Sequence, residues 1–415
     1  MEGNGIESTD RTFVIVGGGL AGASAAESLR TEGFEGRIRL IGAEPYRPYI
    51  RPPLSKGYLS GKDGLDSVFV HPRGWYAENS VELMIGEKAV SLDAQAHLLT
   101  LAHGEFVGYD RLLLATGSSP RVLSIASAHL DGVHYLRTIG DSTALYDALE
   151  YGGMNVVVIG FGWIGMEVAA TARTLGNEVT VLGRGTIPLA NAIGNELGLV
   201  FADLHQENGV VLRGSVAVES IAGADGRVTG VMIDGGETVP ADVVVIGVGA
   251  TPNVELAASA GLAVDDGVLV SASLQTSDPD VFAAGDIANA YHPVLGQRLR
   301  SEHWANALNT GAAVARSMLG QELSYDAIPY FYTDQFDLGM EYSGYGTLAA
   351  NADVVYRGDL DAREFIAFWV ADGAVVAGMN VNVWDVNEGV QALIRSRRSV
   401  DYAELADQTI PLDSL

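Results

Sequence analysis

The chain of 415 residues contains no cysteine. Without a thiol, a protein forms no disulfide, holds no metal or iron–sulfur cluster through thiolate ligands, and runs no dithiol redox relay. Catalysis that depends on a cysteine is therefore excluded, and we predict no metal site.

Positive charge is scarce. The sequence has 25 lysines and arginines against 52 aspartates and glutamates, which gives a formal net charge of −27 at pH 7. No long basic stretch offsets this excess, so the sequence argues against binding to nucleic acid or to an anionic membrane surface. For most of these carboxylates, solubility alone is a sufficient explanation.

Long apolar runs are also absent. No uncharged apolar run reaches the roughly 18 residues that a membrane-spanning helix needs. Met1–Arg11 lacks the apolar core of a signal peptide. We therefore expect a cytoplasmic protein with a short N-terminal tail, and the length is sufficient for two or three domains.

Glycine, in contrast, is abundant, and the first glycine-rich motif has a clear context. The apolar run Phe13–Val16 predicts a buried parallel strand, and Gly17, Gly19 and Gly22 follow it with the spacing G-x-G-x-x-G before a helix-forming run. These glycines allow a tight turn, the approach of backbone to a pyrophosphate, and close packing of helix on strand. About twenty residues later, a second strand ends on Glu44, a candidate acceptor for two ribose hydroxyls.

A second motif of the same kind begins after the valine-rich run Asn155–Ile159. Gly160, Gly162 and Gly165 repeat the spacing between a predicted strand and a predicted helix. Two such motifs at long separation indicate duplication of a dinucleotide-binding unit. Two dinucleotides bound by one chain suggest electron transfer between them.

The second motif lacks the acid that usually contacts the adenine ribose. The strand Glu178–Leu182 runs into Gly183, Arg184 and Gly185 instead. An arginine at this position is how the fold accommodates a 2′-phosphate. The alternative is that Arg184 points into solvent from a plain turn, and the sequence leaves both interpretations open.

Three further segments complete the sequence pattern. Pro45–Lys56 is a loop stiffened by prolines that carries three cations. The strand from Val281 ends at Gly285 and Asp286. This aspartate faces a ligand at the carboxyl end of the sheet or caps a helix, and one residue can fill both roles. Leu65–Val70 through Val90–Leu101 predicts an alternating β excursion.

After Ile328 the pattern changes to short alternating or aromatic segments joined by Gly and Asp turns. They predict antiparallel strands, and Val386–Ser396 predicts a helix. The last part of the chain is therefore expected to be a separate α+β domain.

From Arg11 to Leu412 the sequence resembles the FAD-dependent NAD(P)H:ferredoxin reductases of bacterial oxygenase systems, a family to which apoptosis-inducing factor is related. The marks of the resemblance are Arg51-Pro-Pro-Leu-Ser-Lys56, Ala115-Thr116-Gly117, Gly160-x-Gly162-Trp163-Ile164-Gly165-x-Glu167, Ala284-Gly285-Asp286, Glu302-His303-Trp304, Tyr330-Phe331-Tyr332-Thr333-Asp334-Gln335 and Asn380-Val381-Asn382-Val383-Trp384.

The resemblance implies an α/β fold with two Rossmann-like FAD- and NAD(P)-binding domains, similar to glutathione reductase, and a C-terminal α+β domain. The FAD-binding domain would comprise residues 11–116 and 247–325. The NAD(P)H-binding domain would comprise residues 117–246, and the C-terminal domain residues 326–415.

The resemblance also implies roles for single residues. Glu167 would lie against Lys56 near the reactive ring nitrogen of the flavin, as the catalytic pair, and Asp286 would bind the ribityl chain. The residues predicted to contact the two cofactors are Gly17, Gly19, Leu20, Ala21, Gly22, Glu44, Arg51, Lys56, Ala115, Thr116, Gly117, Arg121, Gly160, Gly162, Trp163, Ile164, Gly165, Arg184, Gly249, Gly285, Asp286, Trp304 and Tyr332.

The function implied is the transfer of electrons from NAD(P)H through non-covalent FAD to a small iron–sulfur ferredoxin that feeds a haem or Rieske-type oxygenase. NAD(P)H gives up two electrons together, iron–sulfur carriers accept one at a time, and a flavin exchanges electrons with both.

Two other classes of enzyme carry the same two glycine motifs. The disulfide reductases need cysteine, which this chain lacks. Type II NADH dehydrogenases need a membrane-binding C-terminal segment, and Asp401–Leu415 is short and acidic.

An alternative function from another class is that of a redox-sensing interaction protein, which, like apoptosis-inducing factor, binds NADH and turns over slowly.

If the protein is a reductase, its acidic chain needs a local group of cations to bind an acidic ferredoxin. We expect these cations at Arg298, Arg300 and Arg397. The alternative is that these arginines pair with nearby carboxylates such as Glu302 and Asp401.

Overall fold

The structure is a computed structural model that describes residues 11–415; the predicted N-terminal tail, residues 1–10, lies outside the described residues. The strands of the first part of the chain are β1 (Thr12–Val16), β2 (Arg37–Gly42), β3 (Val81–Ile85), β4 (Ala89–Asp93), β5 (Leu98–Leu101), β6 (Phe106–Gly108), β7 (Arg111–Leu114) and β8 (Ser118–Pro120). The middle part contains β9 (Val133–Tyr135), β10 (Asn155–Ile159), β11 (Glu178–Leu182), β12 (Val211–Arg213), β13 (Val218–Ala224), β14 (Arg227–Ile233), β15 (Thr238–Pro240), β16 (Val243–Ile246) and β17 (Ala250–Pro252). The remaining strands are β18 (Val268–Val270), β19 (Val281–Ala283), β20 (Ala288–His292), β21 (Gln297–Leu299), β22 (Tyr330–Gln335), β23 (Leu338–Gly344), β24 (Asp353–Asp359), β25 (Glu364–Ala371) and β26 (Ala374–Val381).

The α-helices are α1 (Leu20–Thr31), α2 (Trp75–Glu78), α3 (Ile139–Leu149), α4 (Trp163–Thr174), α5 (Ala190–Ile193), α6 (Asn195–Glu207), α7 (Glu255–Ser259), α8 (Trp304–Met318), α9 (Gly346–Ala349), α10 (Asn387–Ser396) and α11 (Tyr402–Ala406). Within residues 11–415, no helix combines the length and the apolar character that a membrane crossing requires.

The described chain forms two compact units. The first comprises the described residues up to 51, with residues 65–119 and 250–327, and the second comprises residues 52–64, 120–249 and 328–415. The predicted limits of the FAD-binding, NAD(P)H-binding and C-terminal domains stay predictions.

The first unit contains a five-stranded parallel sheet in the order β19-β7-β1-β2-β3. β1 is central because its apolar side chains are buried on both faces, as Phe13, Val14 and Ile15 are. The neighbours of β1 in the sheet, β2 and β7, lie on opposite sides of it, which creates a topological switch point at the carboxyl end of β1. Ligands of doubly wound sheets bind at such a point.

One predicted element of the first unit is wrong. Leu65–Val68 forms a 3₁₀ turn rather than a strand, and alternating strands begin only at Val81. The residues just after this turn pair with the proline-rich loop, where Tyr49 and Phe69 form an isolated antiparallel bridge. Prolines on either side of Tyr49 remove backbone donors, so this pairing cannot extend into a ladder.

The second unit contains a parallel sheet in the order β12-β11-β10-β16-β9 and an antiparallel sheet in the order β22-β23-β26-β25-β24. The antiparallel strands predicted after Ile328 are confirmed, and so is the helix predicted over Val386–Ser396, which begins at Asn387. Both sheets contribute to one apolar cluster, in which Phe201 of α6 and Phe365 of β25 are fully buried.

Candidate functional site

The first glycine motif has the geometry of a phosphate-binding turn. Gly17 has φ +134°, and a Cβ there would collide with the carbonyl of Ala115. α1 begins at Leu20, and its N-cap residue is Gly19, which has no side chain to cap the first N–H groups of the helix. A Cβ on Gly19 would have no atom within 4 Å. The first N–H groups of α1 therefore lie beside open space, where they can bind an anion.

The remaining residues of this motif pack the helix onto the sheet. A Cβ on Gly22 would collide with the carbonyl of Gly17, so only glycine allows this approach. Leu20 and Ala21 are buried at the start of α1. Of the motif residues, Gly19 leaves room for a ligand, whereas Gly17 and Gly22 fix the turn.

Glu44 is held in place by two neighbours. The sequence predicted that β2 ends at Glu44, but the strand ends at Gly42, so Glu44 lies two residues beyond it. Tyr49 donates its hydroxyl to Glu44 Oε2 at 2.5 Å, and Arg51 Nη2 lies 3.3 Å from Glu44 Oε1. Both partners leave the carboxylate partly exposed, so it can also accept from a ribose. Sequence reasoning missed Tyr49.

The turn after β7 is held by Asn253, whose role sequence reasoning also missed. Thr116 Oγ1 donates to the Asn253 carbonyl at 2.9 Å, and Asn253 Nδ2 donates to the Thr116 carbonyl at 2.8 Å. The Asn253 N–H donates to the Gly117 carbonyl at 2.9 Å. The signal was present in the sequence, because Thr251, Pro252 and Asn253 follow a buried strand.

Asp286 lies in a 3₁₀ turn over Gly285–Ile287, directly after β19, and is largely buried. The Gly285 N–H donates to Thr310 Oγ1 of α8 at 2.9 Å. Trp304 is the first residue of α8. The turn follows the carboxyl end of β19, and a Cβ on Gly285 would meet Ala21 of α1 at 3.0 Å, so Gly285 lies beside the first glycine motif.

The second glycine motif repeats the first. Gly160 has φ +129°, and a Cβ there would collide with the Gly247 carbonyl. A Cβ on Gly162 would have no atom within 4 Å, and α4 begins at Trp163 with no side-chain cap. A Cβ on Gly165 would collide with the carbonyl of Gly160, as one on Gly22 would with the carbonyl of Gly17. This motif therefore presents a second uncapped helix N-terminus to open space.

The other residues predicted at the second motif lie around it in the second unit. Ile164 and Arg184 are exposed, the latter two residues after β11. The Arg121 N–H donates to the Gly249 carbonyl at 2.9 Å, which joins two predicted site residues. A Cβ on Gly183 would collide with the Phe161 ring, so no larger residue fits there without movement of that ring.

The predicted pair of Lys56 and Glu167 is brought together. Lys56 Nζ lies 2.7 Å from Glu167 Oε1, and the Glu167 side chain is only 4 % exposed. Ser55 Oγ donates to Glu167 Oε2 at 2.5 Å, and Thr333 Oγ1 donates to Glu167 Oε1 at 2.6 Å. Three donors therefore hold the buried carboxylate, which offsets its desolvation.

Tyr332 lies beside this pair, with Lys56 Nζ 5.6 Å from the centre of its ring. Burial raises the pKa of Tyr332, so its phenol stays protonated at neutral pH. Sequence reasoning missed Ser55 and Thr333 as partners of Glu167, although both lie inside motifs that it quoted.

Of the arginines predicted to dock a partner, Arg300 is paired within the first unit. Its Nη1 lies 2.5 Å from Glu302 Oε1, and its Nε lies 3.1 Å from Asp266 Oδ2. Arg298 is exposed and donates through Nη1 to the carbonyls of Val270 and Asn289. Arg397 is exposed at the end of α10 in the second unit.

Two family profiles cover most of the chain. The one described as Pyridine nucleotide-disulphide oxidoreductase matches residues 11–311, and the one described as Reductase C-terminal matches residues 330–415. The chain belongs to the pyridine nucleotide-disulphide oxidoreductase family. The predicted fold class, with two dinucleotide-binding domains and a C-terminal α+β domain, is confirmed.

Curated relatives and a solved structure narrow this classification. Rhodocoxin reductase of Rhodococcus erythropolis is 39% identical over 86% of this chain and 83% of its own length. The ferredoxin–NAD(+) reductase component of an anthranilate 1,2-dioxygenase system from Burkholderia cepacia is 38% identical over 96% of this chain and 98% of its own. The covalent putidaredoxin reductase–putidaredoxin complex matches with a TM-score of 0.93 and 34% identity, covering 98% of each chain.

These relatives confirm the resemblance to the ferredoxin reductases, and they show that the protein is an FAD-dependent oxidoreductase. The residues present fit the cofactor. Gly19 leaves open space at an uncapped helix N-terminus, and Glu44 presents a partly exposed carboxylate beyond the second strand. A diphosphate and a ribose require these two features at this spacing.

Proposed function

We propose that the protein passes electrons from NAD(P)H through FAD to a small iron–sulfur ferredoxin of a haem or Rieske-type oxygenase system. The observation that carries the proposal is the buried pair of Lys56 and Glu167, with Glu167 on the helix that follows the second glycine motif. The relatives support it, since one is a ferredoxin–NAD(+) reductase component and another was solved in complex with putidaredoxin.

FAD supplies the exchange between two-electron and one-electron chemistry. The N-terminus of α1 would bind its pyrophosphate, with Glu44 on the adenosine ribose and Asp286 on the ribityl chain. The N-terminus of α4 would bind the nicotinamide nucleotide. Lys56 would supply a positive charge to the reduced flavin, and Glu167 holds the ammonium in position. Neither Lys56 nor Glu167 has to transfer a proton.

The proposal is tested with the purified protein and a small [2Fe–2S] ferredoxin. Acid should release FAD, because the first site offers no obvious covalent attachment, and NADH or NADPH should drive many turnovers of ferredoxin reduction. Release of FMN, or slow turnover with a long-lived charge-transfer complex, would contradict the proposal. The second result would instead support a redox sensor.

We expect Arg184 to favour NADPH relative to enzymes that carry an acid at this turn. The exposed guanidinium follows β11, at the position that contacts a 2′-phosphate in this fold. One charge-assisted hydrogen bond changes relative specificity by about 10- to 100-fold. Arg184→Ala should therefore lower the ratio of kcat/KM for NADPH to that for NADH. Arg227→Ala, an exposed arginine of the β13-β14 hairpin, is the matched control, and an unchanged ratio in Arg184→Ala would exclude this role.

The docking of ferredoxin is proposed to depend on Arg298 and Arg397. Arg300 contributes less than the sequence suggested, because Asp266 and Glu302 neutralise its charge. Arg298→Glu with Arg397→Glu should raise the KM for an acidic ferredoxin about fivefold and flatten its salt dependence, since rim charges act mainly on association. Ferricyanide reduction requires no docking and should stay normal. Parallel loss of both activities would indicate damage to the flavin site instead.

The cytoplasmic location that the sequence suggests stays a prediction.

A further inference from the structure

A chain of hydrogen bonds leads from Glu167 into the core of the second unit. Thr333 Oγ1 lies 2.6 Å from Glu167 Oε1, and Gln335 Nε2 donates to Thr333 Oγ1 at 3.2 Å. Gln335 Oε1 in turn lies 2.8 Å from His205 Nε2 on α6. All three added side chains are at most 1 % exposed. Thr333 and Gln335 alternate along β22, so they face the same side of the sheet.

The direction of these hydrogen bonds follows from the number of hydrogens available. A carboxylate has no hydrogen to give, so the hydroxyl of Thr333 donates to Glu167. The Thr333 oxygen can then only accept, which requires the NH₂ group of Gln335 to face it. Gln335 therefore turns its carbonyl oxygen towards His205, and this oxygen requires a hydrogen on Nε2. Each hydrogen in the chain points towards Glu167.

The surroundings of His205 agree with this direction. Burial lowers the pKa of His205 to about 4, although the hydrogen bond to Gln335 opposes the shift, so the ring is neutral at pH 7. Its Nδ1 is buried and makes no hydrogen bond within residues 11–415. A hydrogen on Nδ1 would be an unsatisfied buried donor. The neutral ring therefore carries its single hydrogen on Nε2.

We propose that Gln335 and His205 are positioning residues for hydride transfer, which hold the Thr333 hydroxyl as a donor to Glu167 and thereby fix the Lys56 ammonium. This inference rests on the proposed function of the Lys56–Glu167 pair. Without Gln335, Thr333 could rotate its hydrogen away from Glu167, and the carboxylate would be held by Ser55 and Lys56 alone.

The first test does not depend on turnover. ¹⁵N NMR of the FAD-loaded protein should show His205 neutral and protonated on Nε2 at pH 7, with the signal identified by its loss in His205→Gln. In Gln335→Leu the tautomer should no longer be fixed. A neutral ring with its hydrogen on Nδ1 in the wild type would overturn the inference, because Nε2 would then accept and the chain of hydrogen bonds would be reversed.

The second test measures hydride transfer by stopped flow. Thr333→Val removes the hydroxyl at nearly constant volume, and Gln335→Leu removes the amide. Each should slow transfer about 10-fold, the effect of one hydrogen bond to a charged group, while the coenzyme Kd stays within about twofold. Thr333→Ser should retain the wild-type rate, since it keeps the hydroxyl.

Tyr356→Phe is the matched control, because Tyr356 donates to Glu196 Oε2 at 2.8 Å and so also joins α6 to the antiparallel sheet. If it slowed transfer as much as Gln335→Leu, loose packing of α6 would be the cause and the inference would be wrong. Normal rates in Thr333→Val and Gln335→Leu, with a slow Lys56→Ala, would overturn this inference alone. A normal rate in Lys56→Ala would overturn the proposed role of the pair itself.

Discussion

Gly19→Val is expected to fold and to purify without FAD. The N-cap residue has extended backbone, with φ −99° and ψ −171°, which a β-branched residue adopts readily. Its Cβ would meet no protein atom within 4 Å. The isopropyl group would instead fill the space beside the first N–H groups of α1. Loss of two hydrogen bonds to a phosphate would weaken FAD binding by about 100-fold or more.

Gly162→Val is the matched variant. Gly162 also has extended backbone, with φ −85° and ψ 175°, and open space around its Cβ. We expect it to retain FAD, seen as visible flavin absorbance, and to lose NAD(P)H binding, seen as loss of flavin bleaching at ordinary coenzyme concentration. Reduction by dithionite should remain normal.

The circular dichroism of both variants should match the wild type, since replacing an N-cap glycine by valine costs only about 1 kcal/mol. Gly17→Ala is expected to behave differently, because its Cβ would collide with the Ala115 backbone and the fold itself would suffer. If Gly19→Val retained FAD with normal affinity, the first glycine motif would not be the pyrophosphate site.

The contrast between these glycines shows what the sequence could and could not reveal. The spacing of Gly17, Gly19 and Gly22 predicted a strand, a turn and a helix, and the structure contains all three. The spacing also predicted the roles of these glycines, but it could not reveal that the backbone beside Gly17 is that of Ala115, which is nearly a hundred positions away. No local pattern contains that information.

The partners of the predicted catalytic pair show the same limit. Lys56 and Glu167 were predicted through the family resemblance, and their ion pair is present. His205 was overlooked because a lone histidine on an amphipathic helix looks like any half-buried polar residue. Its link to Gln335 joins residues 130 positions apart. Such contacts arise from tertiary packing and leave no periodic signal.

The error at Leu65–Val68 has a different origin. Apolar residues in a short segment favour a strand, but a strand also needs a partner with free donors and acceptors. The available partner is the loop around Tyr49, which has prolines on both sides. Here backbone hydrogen bonding overrode the propensity of the side chains.

Lys56→Ala should slow hydride transfer to FAD by about 100-fold, the usual effect of removing one preorganised electrostatic contact. The ammonium is held 2.7 Å from Glu167 in a site where both side chains are largely buried, so solvent screens it little. FAD should be retained, since its pyrophosphate is proposed to bind backbone groups of α1. Stopped-flow bleaching of the flavin by NAD(P)H gives the rate directly.

Lys56→Ala also leaves Glu167 as a buried carboxylate without its cation, which can cost about 3–5 kcal/mol of folding stability. Lys56→Met combined with Glu167→Gln removes both charges and keeps the volume, so it separates lost catalysis from lost stability. Lys62→Ala, at an exposed position shortly after this loop, controls for the change of net charge.

The double variant should be as slow as Lys56→Ala and more stable, because the positive charge is absent from both proteins and only one of them retains an unpaired buried charge. Glu167→Gln alone should be intermediate, since the ammonium remains but loses its anionic partner. If the double variant transferred hydride at the wild-type rate, the pair would serve only to join α4 to the loop that carries Lys56. The charge that assists hydride transfer would then have to be sought among other cations.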